Sequence, residues 1–178
     1  MRLETYAIRI DDLRIDYELD STFSKVTGKI SVDLERASAS ATSEVQIIYS
    51  VTHSGDTVFE ASADTISADF AFSKPNLWYP HGYGAQPLYE FKVKVLGADG
   101  SEVASASKKI GFRQALLIQE PDEIGKSFYF RINGIDVFCG GSDWIPADNF
   151  TPRVTEEKYR KWLELMVDGY QVMIRQVC

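Results

Sequence analysis

From Leu13 to Phe112 the chain alternates apolar and polar positions with a period of two. Leu13, Ile15, Tyr17 and Leu19 are separated by charged residues, Ile30, Val32 and Leu34 by Ser31 and Asp33, and Val45, Ile47, Tyr49 and Val51 continue the pattern. Each set fits an antiparallel strand with one buried face. Ser54-Gly55-Asp56 predicts a tight turn before Thr57-Val58-Phe59, and Ile66, Ala68, Phe70 and Phe72 form a further alternating set, a hairpin being the simplest link. Tyr89, Phe91, Val93 and Val95 alternate with Glu90, Lys92 and Lys94, Gly97 to Gly100 reverses the chain, and a last strand runs toward Ile110 and Phe112. About seven short strands in roughly 110 residues predict an immunoglobulin-like β-sandwich. The Ala/Ser/Thr-rich stretch Ala37 to Ser43 reads as an inter-strand loop.

Beyond Phe112 the period changes. Phe128, Phe130 and Ile132 alternate up to Asn133-Gly134, the favoured pair of a two-residue hairpin turn, and Ile135 to Phe138 follow. Thr155 is placed to cap a helix, Glu156 and Glu157 complement its dipole, and Tyr159, Trp162, Leu163, Met166 and Tyr170 recur at helical spacing. Val172-Met173-Ile174 is a short apolar run that reads as a buried strand. The predicted organisation is mainly β: a sandwich over 1–116, then over 117–178 the first strand–helix–strand of an incomplete (β/α)8 barrel.

Composition narrows the function classes. Of 178 residues, 44% are hydrophobic and 25% charged, the balance of a globular chain that can build a core. A net charge of -7 with no basic run argues against nucleic acid as partner. No stretch approaches the roughly 20 apolar residues of a membrane span. Met1 to Asp12 contains no continuous apolar run, so no secretory signal is expected and a cytoplasmic location is. Two cysteines, Cys139 and Cys178, exclude a disulfide framework and are too few for a cysteine zinc site; they read as free thiols. His53 and His81 fall in expected turns, and neither a metal nor a cofactor is implied.

Three stretches carry a resemblance. Asn76-Leu77-Trp78-Tyr79-Pro80-His81-Gly82-Tyr83-Gly84-Ala85-Gln86-Pro87-Leu88-Tyr89 is similar to a passage that leads into a sandwich strand of fungal-type β-mannosidases of glycoside hydrolase family 2. Ile110-Gly111-Phe112-Arg113, followed by Gln119-Glu120-Pro121 and Ser127 to Phe130, resembles the close of that family's sandwich. Phe138-Cys139-Gly140-Gly141-Ser142-Asp143-Trp144-Ile145-Pro146-Ala147-Asp148 resembles its first barrel strand and loop, and Gln171 to Arg175 its second strand. The resemblance implies retaining hydrolysis of terminal β-D-mannose in glycan breakdown, with a β-mannoside oligosaccharide as ligand. It also implies a jelly-roll domain before the sandwich and the rest of the barrel after it. Where the family continues with Val-Trp-Gly-Gly-Gly, this chain reads Gln176-Val177-Cys178, which points to a truncated product.

The catalytic pair is not expected within the chain. A retaining glycosidase uses two carboxyl groups about 5 to 5.5 Å apart. The family's acid/base Glu directly follows Asn, and no Asn-Glu dipeptide occurs here. The expected substrate-binding residues are Trp144 and Asp148, in the loop after the first barrel strand, and Arg175, at the end of the second. Trp144 offers a sugar an apolar face or else packs the barrel mouth. Asp148 accepts sugar hydroxyls or else orients its loop. Trp78 and Tyr79 form a sugar-stacking platform or else pack. Two function classes follow: a β-mannosidase segment, inactive alone, or an immunoglobulin-like module that binds glycan or protein. Galactose and glucuronic acid specificities are the runners-up among enzymes. Gly140 to Pro146 favours mannose, and the strand–helix–strand tail favours the hydrolase.

Overall fold

The computed structural model describes residues 6–37 and 45–176. The loop beyond Ala37, the first five residues and Cys178 lie outside the described residues. The chain divides into two compact units, one of 1–76 with 87–112, the other of 77–86 with 113–178.

The first unit consists of strands β1 (Ile8–Leu19), β2 (Lys25–Arg36), β3 (Gln46–His53), β4 (Asp56–Ala63), β5 (Ser67–Ser73), β6 (Tyr89–Leu96) and β7 (Glu102–Ile110). They form two antiparallel sheets, ordered β1-β2-β5 and β4-β3-β6-β7. This is a β-sandwich, with the fourth strand paired to the third rather than added to the sheet of the first two. The hairpin at Ser54-Gly55 therefore joins β3 to β4, both turn residues having positive φ. β5 does not fold back on β4; it crosses to pair with β2, Gly28 opposite Phe70. His53 is the last residue of β3 rather than a turn residue, and its ring stacks on Tyr89 at 4.4 Å.

Alternation becomes burial in this unit. Tyr89, Phe91, Val93 and Val95 of β6 are buried, as are Ile47, Tyr49 and Val51 of β3 and Val26, Ile30 and Val32 of β2. Phe70, from the three-stranded sheet, meets Phe91, from the four-stranded one, at 5.3 Å in an edge-on pair, so the two sheets close over one aromatic core. Phe112, fully buried, gathers Tyr17 at 4.9 Å and Tyr89 at 4.8 Å. Packing among such rings supplies the cohesion that a disulfide supplies in antibody domains.

The second unit begins with a small antiparallel sheet, β8 (Ala115–Ile118), β9 (Tyr129–Ile132) and β10 (Ile135–Val137), in the order β10-β9-β8. Asn133 (φ 47) and Gly134 (φ 80) make the β9–β10 turn, both left-handed as a type I′ pair requires. Arg131 and Asp136 face each other across this hairpin at 2.5 Å, which lowers the Asp136 carboxyl below its ordinary range. β11 (Gly141–Trp144), helix α1 (Glu156–Asp168) and β12 (Met173–Gln176) complete the unit, with β11 and β12 parallel. Parallel neighbours need a crossover, and α1 is that crossover.

Candidate functional site

Trp144, Asp148 and Arg175 all belong to the β11–α1–β12 element. Gly141 allows its two strands to meet: a Cβ on Gly141 would collide with the main chain of Met173, its carbonyl carbon only 2.8 Å away. Register then follows, pairing Asp143 with Arg175 and Trp144 with Gln176. Trp144 and Gln176 end their strands, and the connection from Ile145 to Thr155 leaves from that C-terminal end, where ligands bind in parallel sheets.

Helix α1 is fixed at both ends. Thr155 is its N-cap, the hydroxyl oxygen accepting from Lys158 N at 3.3 Å, with Glu156 and Glu157 in the first turn. At the other end Tyr170 N donates to Val167 O and Gln171 N to Met166 O, the two bonds of a Schellman closure. Tyr170, not Gly169, occupies the left-handed position, at φ 55. The helix therefore ends at Asp168, and Tyr170, which the helical spacing included, belongs to its closure.

Trp144 is half-buried, and its indole lies 5.8 Å from the ring of Tyr159 and 5.1 Å from that of Trp162, both on α1. The ring thus binds strand to helix. Asp148 Oδ1 accepts from Phe150 N at 2.8 Å and so shapes the loop, and Arg153 lays its guanidinium over the Phe150 ring at 4.7 Å. Arg175 Nη2 donates to Asp143 Oδ2 at 2.8 Å, side by side on the paired strands. Asp143, not among the sequence-predicted site residues, is therefore the carboxylate that Arg175 holds. The register needed to see this comes only with the fold. A cavity of about 400 Å³ adjoins these groups, lined by Asp143, Trp144, Ile145, Trp162, Leu165 and Met166. The arrangement offers a carboxylate acceptor and a guanidinium donor beside apolar rings, a combination suited to hydroxyl-bearing ligands.

The expectation of a buried strand at Val172 to Ile174 is corrected: Met173 and Ile174 of β12 are 38% and 37% exposed. Among the described residues this parallel sheet has two strands, which bury neither of its faces.

Trp78 and Tyr79 lie in the second unit, within 77–86. The Arg113 guanidinium covers the Trp78 ring at 4.7 Å, Tyr79 N donates to Ala85 O at 2.9 Å, and Tyr83 OH accepts from Phe138 N at 2.9 Å. The Trp78 ring is thus covered as in packing, and the Tyr79 ring lies against Gly84, where an added Cβ would meet it at 2.9 Å. Among the described residues no three His, Cys, Asp or Glu side chains gather as metal ligands would, and no helix is long and apolar enough to cross a membrane.

The glycosyl hydrolases family 2 model matches residues 8–113. The chain is 46% identical over 179 aligned residues to β-mannosidase B of Aspergillus oryzae and 47% identical to that of Aspergillus flavus, matching 98% of this chain and 21% of each relative. It therefore spans about a fifth of the length of these curated relatives. Among solved structures, a β-D-mannosidase from Dictyoglomus thermophilum superimposes with a TM-score of 0.81 at 25% identity, over 97% of this chain and 25% of that one. A Parabacteroides merdae β-glucuronidase superimposes with a TM-score of 0.78 at 16% identity over 96% of this chain and 21% of that one, a likeness of fold alone.

Proposed function

Because the chain belongs to glycosyl hydrolases family 2, we propose that it is the segment of a β-mannosidase that holds the sandwich and the opening strand–helix–strand of a (β/α)8 catalytic barrel. The full protein releases terminal β-D-mannose from non-reducing ends of oligosaccharides. The observation that carries this reading is the extent of the likeness to fungal β-mannosidase B, which runs through 98% of the chain and so through both units. A stand-alone binding module has no use for the second unit. The parallel β11–α1–β12 element is the repeating unit of such a barrel, which supports the same reading.

In the assembled enzyme the C-terminal ends of β11 and β12 border the sugar. Asp143 and Asp148 accept hydroxyl hydrogen bonds, Arg175 holds Asp143 in place, and Trp144 forms the apolar wall behind them. A retaining mechanism needs a carboxylate on each side of the anomeric carbon. Both come from later strands of the barrel, outside this segment, and the jelly roll precedes it in the full protein. By itself the segment binds mannose weakly and does not cleave it, since a pocket needs groups converging from several strands.

The test is release of nitrophenol from an aryl β-mannoside by the purified 178-residue chain, with no turnover above buffer expected. Turnover that is lost in Trp144→Ala and Asp148→Ala would contradict the proposal.

A further inference from the structure

Asn133 is a buried polar side chain, 6% exposed, and both ends of its amide are engaged. Oδ1 accepts from Gln114 N at 2.8 Å, Nδ2 donates to Trp78 O at 3.0 Å, and the residue's own N–H donates to Gln114 O at 3.0 Å. A main-chain N–H only donates and a carbonyl only accepts, so the amide fits in one orientation. One side chain thereby ties the β9–β10 turn to the start of β8 and to Leu77–Gln86.

The residue that follows is Gly134, and an Asn-Gly pair is chemically labile because no side chain shields the glycine nitrogen. In water that nitrogen loses its proton and attacks Asn133 Cγ. The Cγ–Nδ2 bond breaks, ammonia leaves, and water opens the cyclic imide to aspartate or its iso-linked form, with no change of oxidation state. The fold opposes the reaction twice. The left-handed turn, φ 47 then φ 80, fixes the two residues, and the hydrogen bonds of Oδ1 and Nδ2 hold the amide in place.

We propose that Asn133-Gly134 is a deamidation site guarded by the fold of the second unit, whose conversion releases the Leu77–Gln86 segment. The product sets a carboxylate oxygen where Nδ2 had donated, so that two acceptors face each other at the Trp78 carbonyl. Reversal would need an amide nitrogen donor, so the change is permanent: a chain that has been converted here recloses without this fastening.

Peptide mapping by mass spectrometry, after incubation at mildly alkaline pH, tests the guarded state. Conversion at Asn133 is expected to be at least about a hundredfold slower in the folded chain than in denaturant, because reaction passes through the opened form. Equal rates would overturn the proposal. Hydrogen exchange on Asn133→Asp tests the release. The amides of Tyr79 and Tyr83 are expected to exchange about tenfold faster or more, with protection in β3 and β6 unchanged. Unchanged exchange at Tyr79 and Tyr83 would overturn it, and so would loss of protection across β3 and β6.

Discussion

Arg175 Nη2 donates to Asp143 Oδ2 at 2.8 Å from the directly opposed position on the neighbouring parallel strand. Both side chains are largely exposed, Arg175 at 68% and Asp143 at 54%. Exposed ion pairs contribute about 1 kcal/mol or less, so Asp143→Asn and Arg175→Met are expected to leave the urea midpoint of the chain almost unmoved. A midpoint shift equivalent to several kcal/mol would show that the pair holds the element together rather than presenting a group to a ligand.

Gly28 lies opposite Phe70 on β2 and β5, and the Phe70 ring occupies the space a side chain at 28 would need. A Cβ there would meet two ring carbons at 2.7 Å and also clash with Asp16 O. Phe70 is itself pinned by Phe91, so the ring cannot retreat. Gly28→Ala is expected to destabilise the sandwich by about 1–3 kcal/mol, the usual cost of overpacking, read as a lower thermal midpoint. An unchanged midpoint would mean that the sheet yields at this point.

Asp20 anchors the turn between β1 and β2. Hydrogen bonds donated by the Thr22 hydroxyl first, then by Lys25 N and the Ser24 hydroxyl, hold its carboxyl down to about 2 from an ordinary 3.8. The folded value lies below the unfolded one, so the contribution is complete above the unfolded value and is lost as pH falls through about 2. Chemical denaturation at successive pH values is expected to show this loss, and Asp20→Asn to remove that part of the slope. An identical slope in the variant would show that other carboxylates account for the acid sensitivity.

The sandwich strands were legible in the sequence because burying one face of each writes a period of two, as in Tyr89, Phe91, Val93 and Val95 of β6 against exposed Glu90 and Lys92. Which strands pair was not. The crossing of β5 to β2 depends on packing such as Phe70 on Phe91, which no local pattern encodes. β8 escaped notice because Ala115 to Ile118 is a short apolar run without alternation, its Leu116 and Leu117 more than 40% exposed. Helix α1 was legible from Thr155 and its spacing, whereas the spacing carried Tyr170 into the helix although it takes the left-handed position of the closure. At the site, Trp144, Asp148 and Arg175 were visible through their motifs. The partners of Trp144 and Arg175 depended on the register of β11 on β12 and the return of α1, which joined Trp144 to Tyr159 and Trp162 and Arg175 to Asp143.

A graft shows whether this segment serves a β-mannosidase. Residues 1–178 replace the aligned segment of Aspergillus oryzae β-mannosidase B, to which they are 46% identical. Nitrophenol release is then measured with aryl β-mannoside, β-galactoside and β-glucuronide. A β-mannosidase segment is expected to give a folded hybrid that cleaves the mannoside in preference to the other two and loses at least about tenfold in kcat/KM on Arg175→Met, a loss of about 1.4 kcal/mol in transition-state stabilisation. A folded hybrid that cleaves none of the three, or prefers galactoside or glucuronide, would contradict it.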